Sequence, residues 1–518
     1  MKLVSKIKNI YQTHSVILIA LLYTCLFNSI IIFHKIELLQ PSHSIIEFFN
    51  DYIQALSCVF ILLIALSMNF IIFFIANILL FISGYIICYF VYFYNISVNN
   101  NALILIKQSH FAEAIGFFTL NFFIGLIVII TVIYLILTNL NKELLYKQFN
   151  NPAKFLSAVI IMYFVANTTS YIGQNYMPFN FIQTIINHSL VDDEGDSTQL
   201  HYDKEKIKFK EKDLNIVLII GESARYDHFH INGYERKTSP YLDKIPNLIS
   251  YQNVTSCWNF TFYAVPCLLI KQDFEPMPPI FKGISFIDVF NDLNFESFWF
   301  GNQGSYYKLD QPYLKIAKSS NTLILPSQDL LFNPNYDNTL LTYLDENILD
   351  SNANKLIIIH TKGSHADYEE RYPLEFGKYS PNCKTTFLRK GVHHCTDDQI
   401  INSYDNTILY TDNFISEVIK RFESKNALII YISDHGESLG EEGFYMHGTS
   451  SRPEEFHVPM FVWGSDQYIK SYQSNYKNLR SHYKEKLSYR NLFHTLLGCA
   501  NINAPELIDN RLDLCSHY

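Results

Sequence analysis

The chain has 518 residues, of which 49% are hydrophobic and only 17% charged. That is too long for one ordinary domain and more apolar than a soluble enzyme requires, so a single soluble domain is excluded and a membrane part is implied. A formal net charge of −9 argues against a nucleic-acid partner, which would call for a basic patch.

The apolar residues concentrate in the first 173 positions, where five stretches (15–33, 52–68, 70–94, 115–138 and 155–173) contain no Asp, Glu, Lys or Arg. Each is long enough to cross about 30 Å of hydrocarbon as a helix. None carries the polar face of a helix buried in a soluble domain. The first follows Lys2, Lys6 and Lys8, but its length and the lack of a small-x-small cleavage site make it an anchor rather than a signal peptide. These three lysines, with Lys142, Lys147 and Lys154 between the fourth and fifth stretches, mark the cytoplasmic sides. Five crossings that start inside leave everything after Gly173 outside.

Cysteine placement gives an independent expectation. Cys25, Cys58 and Cys88 fall in the apolar stretches, whereas Cys257, Cys267, Cys383, Cys395, Cys499 and Cys515 follow the last crossing as three sequence-local pairs. Their spacing is unlike a zinc ribbon, and an oxidising compartment permits disulfides. Pairing between neighbours is the simplest of several connectivities.

Beyond the fifth stretch, Met177, Phe181, Ile182, Ile185 and Ile186 repeat at helical spacing, which predicts a helix in the membrane interface. Residues 192–213 are rich in charge and read as a solvated linker. The expected organisation is a transmembrane domain over 1–173, an interfacial helix and linker over 174–213, and a catalytic domain over 214–518.

From Leu214 the pattern changes to short apolar runs separated by polar stretches of helical length. Three runs have polar endings: 216–220 leads into Gly221-Glu222-Ser223, 356–359 into His360 and His365, and 427–432 into Ser433-Asp434-His435-Gly436-Glu437. Continuous Val, Ile and Leu runs predict strands buried on both faces of a mainly parallel α/β sheet. Ligands of such sheets lie beyond the carboxyl ends of the strands. Glu222, His360, His365, Asp434 and His435 are therefore expected to converge.

Two carboxylates and a histidine suit zinc, which accepts mixed oxygen and nitrogen ligands and keeps a position open in catalytic sites. The remaining ligand should be a nucleophile, because coordination favours an alkoxide. Metal and histidines together would offset charge on a phosphoryl group during in-line displacement.

Three stretches, 221–225 (GESAR), 256–267 (SCWNFTFYAVPC) and 433–440 (SDHGESLG), resemble the phosphoethanolamine transferases that modify lipid A and lipopolysaccharide core. Those enzymes form a sulfatase-like branch of the alkaline phosphatase superfamily that includes polymyxin-resistance enzymes. The resemblance implies a zinc site of Glu222, Thr261, Asp434 and His435, with Thr261 as nucleophile and one tightly bound zinc. It places His360, His365 and His447 around the phosphoryl group or a second, weaker zinc. Lys308 and Ser305, in a Ser-x-x-Lys, become phosphate contacts, and Ser109 and Glu113 become contacts of the donor headgroup. It further implies phosphatidylethanolamine as donor, lipid A or lipopolysaccharide as acceptor, and a monomer in the bacterial inner membrane with its catalytic domain in the periplasm. Where the family usually has Gly-Thr-Ser-Thr-Ala, this chain has Trp258-Asn259-Phe260-Thr261-Phe262, bulkier on both sides of the nucleophile. Competing expectations are a glycerol-phosphate transferase or phosphatase/sulfatase of the same superfamily, and a metal-binding envelope protein without catalysis.

Overall fold

The computed structural model describes residues 14–32, 45–67, 69–94, 118–141, 143, 177–178, 202–272, 283–303, 311–325, 336–348, 353–384, 395–448 and 452–516. These fall into two compact units, one within residues 1–194 and one within 195–518. The expected fifth crossing and most of the interfacial helix lie outside the described residues.

Among the described residues of the first unit, four helices are long and apolar enough to cross a membrane: α1 (His14–Ile32), α2 (Phe49–Leu66 of Ile45–Leu66), α3 (Phe70–Phe93 of Phe70–Tyr94) and α4 (Leu120–Thr138). Aromatic edges pack their cores, with the Tyr23 ring 4.9 Å from Phe27 and 5.5 Å from Phe81. Some polar groups inside the helices find partners within the protein, as a medium without water favours. The Tyr85 hydroxyl donates to Phe122 O at 2.6 Å. The buried Asn28 amide accepts from Met177 N at 2.9 Å and donates to Met177 O at 3.2 Å.

Among its described residues the second unit has ten strands: β1 (Leu214–Gly221), β2 (Leu248–Thr255), β3 (Glu296–Gly301), β4 (Thr322–Ile324), β5 (Lys355–His360), β6 (Asn426–Ser433), β7 (Ser438–Leu439), β8 (Tyr445–Met446), β9 (His457–Gly464) and β10 (Lys486–Ser488). Eight form one sheet in the order β10-β2-β9-β6-β1-β5-β3-β4, and β7 pairs with β8 in a small ribbon. Within the large sheet only β9 runs against its neighbours. Every residue of β1, β5 and β6 is buried, which is why their sequences are continuously apolar rather than alternating. Helices supply the cover, among them α5 (Thr261–Leu269) and α6 (Asp397–Phe422). The α6 start carries a reciprocal capping box between Thr396 and Gln399, which satisfies two otherwise orphaned amides.

Register levels the strand ends. Ile220 of β1 faces His360 of β5, Gly221 faces Ser433 of β6, and Gly301 of β3 also faces His360. The three polar endings expected from sequence therefore leave the sheet at one height. Gly221 has no alternative there, because an added Cβ would collide with the Tyr431 hydroxyl.

Candidate active site

Glu222, Asp434 and His435 follow β1 and β6 directly and are completely buried. Thr261 opens α5, with Phe260 as the extended residue before it, so its hydroxyl stands at the positive end of a helix. It donates to Glu222 Oε2 at 3.0 Å and lies 3.4 Å from His435 Nε2. His435 Nε2 is in turn 3.3 Å from Glu222 Oε1 and 3.4 Å from Asp434 Oδ2. Five oxygen and nitrogen atoms of four residues, from three parts of the chain, thus crowd together with hydrogen-bond or ion-pair spacing.

Hydrogen bonds around the cluster decide which atoms face inward. His435 Nδ1 sits 2.7 Å from Gly436 O; a carbonyl can only accept, so Nδ1 carries a proton and Nε2 is the ring nitrogen turned to the carboxylates. Asp434 Oδ1 accepts from Ser223 N at 3.1 Å and His435 N at 2.8 Å. Its Oδ2 makes no direct hydrogen bond among the described residues and approaches His435 Nε2 at 3.4 Å. Glu222 accepts from Ser223 Oγ at 2.8 Å and from Gln303 Nε2 at 2.5 Å. Ser223 itself has a positive φ of 54°, the kind of backbone strain that clusters where side chains must be aimed.

This donor set fits zinc. Tetrahedral zinc with bonds of about 2.0–2.1 Å separates its ligands by about 3.3–3.4 Å, the spacing at which His435 stands from three neighbours. Titration points the same way. Burial by itself would raise Glu222, but the hydrogen bond and charge of His435, with His365 and His447, hold it well below the ordinary carboxylate range. Burial and the Glu222 carboxylate beside it push Asp434 well above that range. Two acids this close keep a proton between them until a cation replaces it.

His447 joins the cluster: its ring centroid is 4.1 Å from that of His435, and its nitrogen falls with Glu222 and His435 in one potential metal-binding group. Its Nδ1 lies 3.1 Å from the buried Glu437 Oε2. His365 lies 6.2 Å from His447, ring to ring. His360 is placed differently. It is fully buried, with its ring edge-on to Trp299 at 5.8 Å and Tyr313 at 5.2 Å, and burial lowers its pKa to about 4. Ser305, Lys308, Ser109 and Glu113 lie outside the described residues.

Two groups in the site were not expected from sequence. Gln303 bridges Glu222 and Thr361 O, the latter at 2.9 Å. It follows Gly301 at the end of β3, so the same strand-end pattern that pointed to Glu222 applies to it. Glu437 was visible within the 433–440 motif, but nothing there foretold its contact with His447. The six cysteines join as neighbours: Cys257 with Cys267, Cys383 with Cys395, and Cys499 with Cys515. The first of these closes the segment that carries Thr261.

A mainly parallel sheet with acids, a histidine and a hydroxyl gathered at its strand ends is the architecture of the sulfatases, and the chain belongs to the sulfatase family, whose pattern matches residues 214–502. Among individual proteins it is similar to the Kdo(2)-lipid A phosphoethanolamine 7''-transferase of Escherichia coli (strain K12), at 31% identity over 358 residues, 65% of this chain and 61% of that one. The alignment therefore spans about three fifths of that relative's length. Its fold is that of the integral membrane lipooligosaccharide phosphoethanolamine transferase A (EptA) of Neisseria meningitidis, with TM-score 0.79, 22% identity, and coverage of 96% of this chain and 97% of that one. The C-terminal periplasmic domain of EcEptC from Escherichia coli, in complex with Zn, superposes with TM-score 0.53 at 24% identity over 60% of this chain and 88% of that one. With its apolar helices, the chain is a multi-pass membrane protein.

Proposed function

We propose that the chain moves phosphoethanolamine from phosphatidylethanolamine to lipid A or lipopolysaccharide core through a covalent intermediate on Thr261, in a zinc-dependent reaction. The observation that carries this reading is the Thr261 hydroxyl, 3.0 Å from Glu222 and 3.4 Å from His435, at the edge of a buried cluster with tetrahedral spacing. Relatives named as phosphoethanolamine transferases supply the substrate class, and a zinc-bound neighbour supplies the metal. The expected location is the bacterial inner membrane with the second unit in the periplasm, which the three disulfides favour.

Glu222, Asp434, His435 and Thr261 would hold the ion, with a second, weaker one toward His365 and His447. Bound zinc supplies positive charge that favours the threonine alkoxide and offsets charge on the phosphoryl oxygens. Thr261 Oγ1 attacks phosphorus, a Thr–O–P bond forms, and the bond to the diacylglycerol oxygen breaks. The leaving oxygen takes a proton from a histidine of the His360, His365 and His447 set. His447, oriented by Glu437, and His365 are the best placed of the three, since His360 is enclosed by aromatic rings. In the second half the same histidine removes the proton of the acceptor hydroxyl, which attacks phosphorus and restores free Thr261. Lys308 and Ser305 serve as phosphate contacts, and Ser109 and Glu113 as contacts of the donor headgroup.

The test is peptide mass analysis of purified protein given phosphatidylethanolamine without acceptor. One phosphoethanolamine should appear on the Cys257–Cys267 segment, be absent from Thr261→Ala, and persist at reduced rate in Thr261→Ser. Label on another residue would refute the mechanism.

A further inference from the structure

Two polar side chains that the proposed reaction does not use tie the Thr261 segment to the metal-binding strand end. Glu455 lies in the short helical turn Pro453–Phe456, immediately before β9, and is completely buried. Because β9 runs against β2 and β6, its beginning lies at the sheet edge where those two strands end. The nucleophile segment leaves β2 at this edge and the Asp434-His435 pair leaves β6 there, with Glu455 between them.

Both carboxylate oxygens of Glu455 are engaged. Oε2 accepts from Asn259 Nδ2 at 2.6 Å, and Oε1 accepts from Ser438 Oγ at 2.7 Å. Asn259 is itself buried and precedes Thr261 by one intervening residue; Ser438 begins β7, just beyond His435. The backbone follows the same route, with Ser256 N donating to Phe456 O at 2.9 Å and Gly436 N to Glu455 O at 2.8 Å. The fit is tight enough that a Cβ on Gly436 would collide with Glu454 O.

A buried carboxylate is a costly way to join two loops, and apolar contacts would serve if adhesion were all that mattered. What a carboxylate adds is short, directional, charge-assisted hydrogen bonds. We propose that Asn259 and Glu455 are positioning residues that set Thr261 Oγ1 at its distance from His435 and Glu222. This rests on the reading of Thr261 as nucleophile. Their effect is exerted on the attack of the hydroxyl on phosphorus rather than on metal binding, since the hydrogen bonds that join them run to each other and to Ser438.

The experiment uses the full-length protein in detergent with phosphatidylethanolamine, and follows the rate at which Thr261 acquires phosphoethanolamine beside bound zinc and melting temperature. Asn259→Asp sets two carboxylates against each other and should slow labelling by about 100-fold, the scale of a misplaced reactive group, with zinc content unchanged. Asn259→Asp combined with Glu455→Gln reverses the pair: the new amide donates to the carboxylate now at position 259, its oxygen still accepts from Ser438, and net charge equals that of the parent. Labelling should return to within about tenfold of wild type. Asn259→Ala, which adds no repulsion, covers the case in which the aspartate variant fails to fold, and should slow labelling while remaining folded. Wild-type rates in Asn259→Ala, loss of zinc in step with loss of labelling, or a double variant no faster than the folded single variant would overturn the proposal. If wild-type protein carries no label on Thr261, the reading of the nucleophile fails and this proposal fails with it.

Discussion

Asp434→Asn separates the cost of the site from its use. The substitution keeps the Oδ1 atom that accepts from Ser223 N and His435 N, so the loop after β6 should hold its shape. It replaces Oδ2, 3.4 Å from His435 Nε2, with an amide that can donate to Glu222. The Asp434 carboxyl must be held protonated beside Glu222, whereas an amide donates without taking up a proton, so metal-free Asp434→Asn should be more stable than metal-free wild type by about 1–3 kcal/mol. Zinc should invert the ranking. At a concentration 100 times its dissociation constant a ligand stabilises the folded state by about 2.7 kcal/mol, and at about 2–4 °C per kcal/mol for a domain of this size wild type should gain about 5–11 °C. The variant, short of one charged ligand, should gain little. Thermal melts of both proteins with chelator and with zinc test this crossing. A variant that is less stable than wild type without metal, yet equally stabilised by zinc, would refute the assignment of Asp434 Oδ2 as an ion-facing atom.

Three further outcomes are expected. Since Asp434 is held above the carboxylate range by burial and Glu222, metal-free protein retains its proton; the group's contribution to stability is full below its unfolded value near 4 and is lost as pH rises through the raised one. Zinc must displace that proton, so calorimetric heats should vary with buffer ionisation enthalpy, and heats independent of buffer would contradict the coupling. Gln303→Ala removes the donor at 2.5 Å from Glu222 Oε2 and should weaken zinc binding by about 10–100-fold, as losses around a metal site do; equilibrium dialysis measures it, and an unchanged affinity would show that Gln303 does not orient Glu222. Reduction of the three disulfides, which span 10, 12 and 16 residues, should destabilise the second unit by about 2–4 kcal/mol per bridge, and chemical unfolding with and without reductant would expose a smaller effect.

The strands that carry Glu222, Asp434 and His435 were legible because burial on both faces leaves a simple signature: 216–220, 356–359 and 427–432 are apolar throughout, and each ends in polar residues. Register then had little freedom, and Glu222, Asp434 and His435 met as expected. Strand direction leaves no such mark. Val458–Trp463 of β9 reads like any buried strand, yet it runs the other way, and only that reversal brings Glu455 to the site. Asn259 and Glu455 look in sequence like a loop amide and an acid in a helical first turn, the ordinary places for both residue types. His360 shows the opposite case: the 356–359 run does lead into it, at the end of β5, but the rings of Trp299 and Tyr313 that enclose it come from distant segments.

The central place of β1 has a consequence for synthesis. Its two neighbours, β5 and β6, begin at Lys355 and Asn426, while β1 itself ends at Gly221. At translation rates of about 5–20 residues per second, the roughly 200 residues that separate β1 from β6 take about 10–40 s to emerge. Throughout that interval this buried, apolar strand has at least one open hydrogen-bonding edge, a template for pairing with other chains. Fragments that stop before Asn426 should therefore aggregate rather than fold partway.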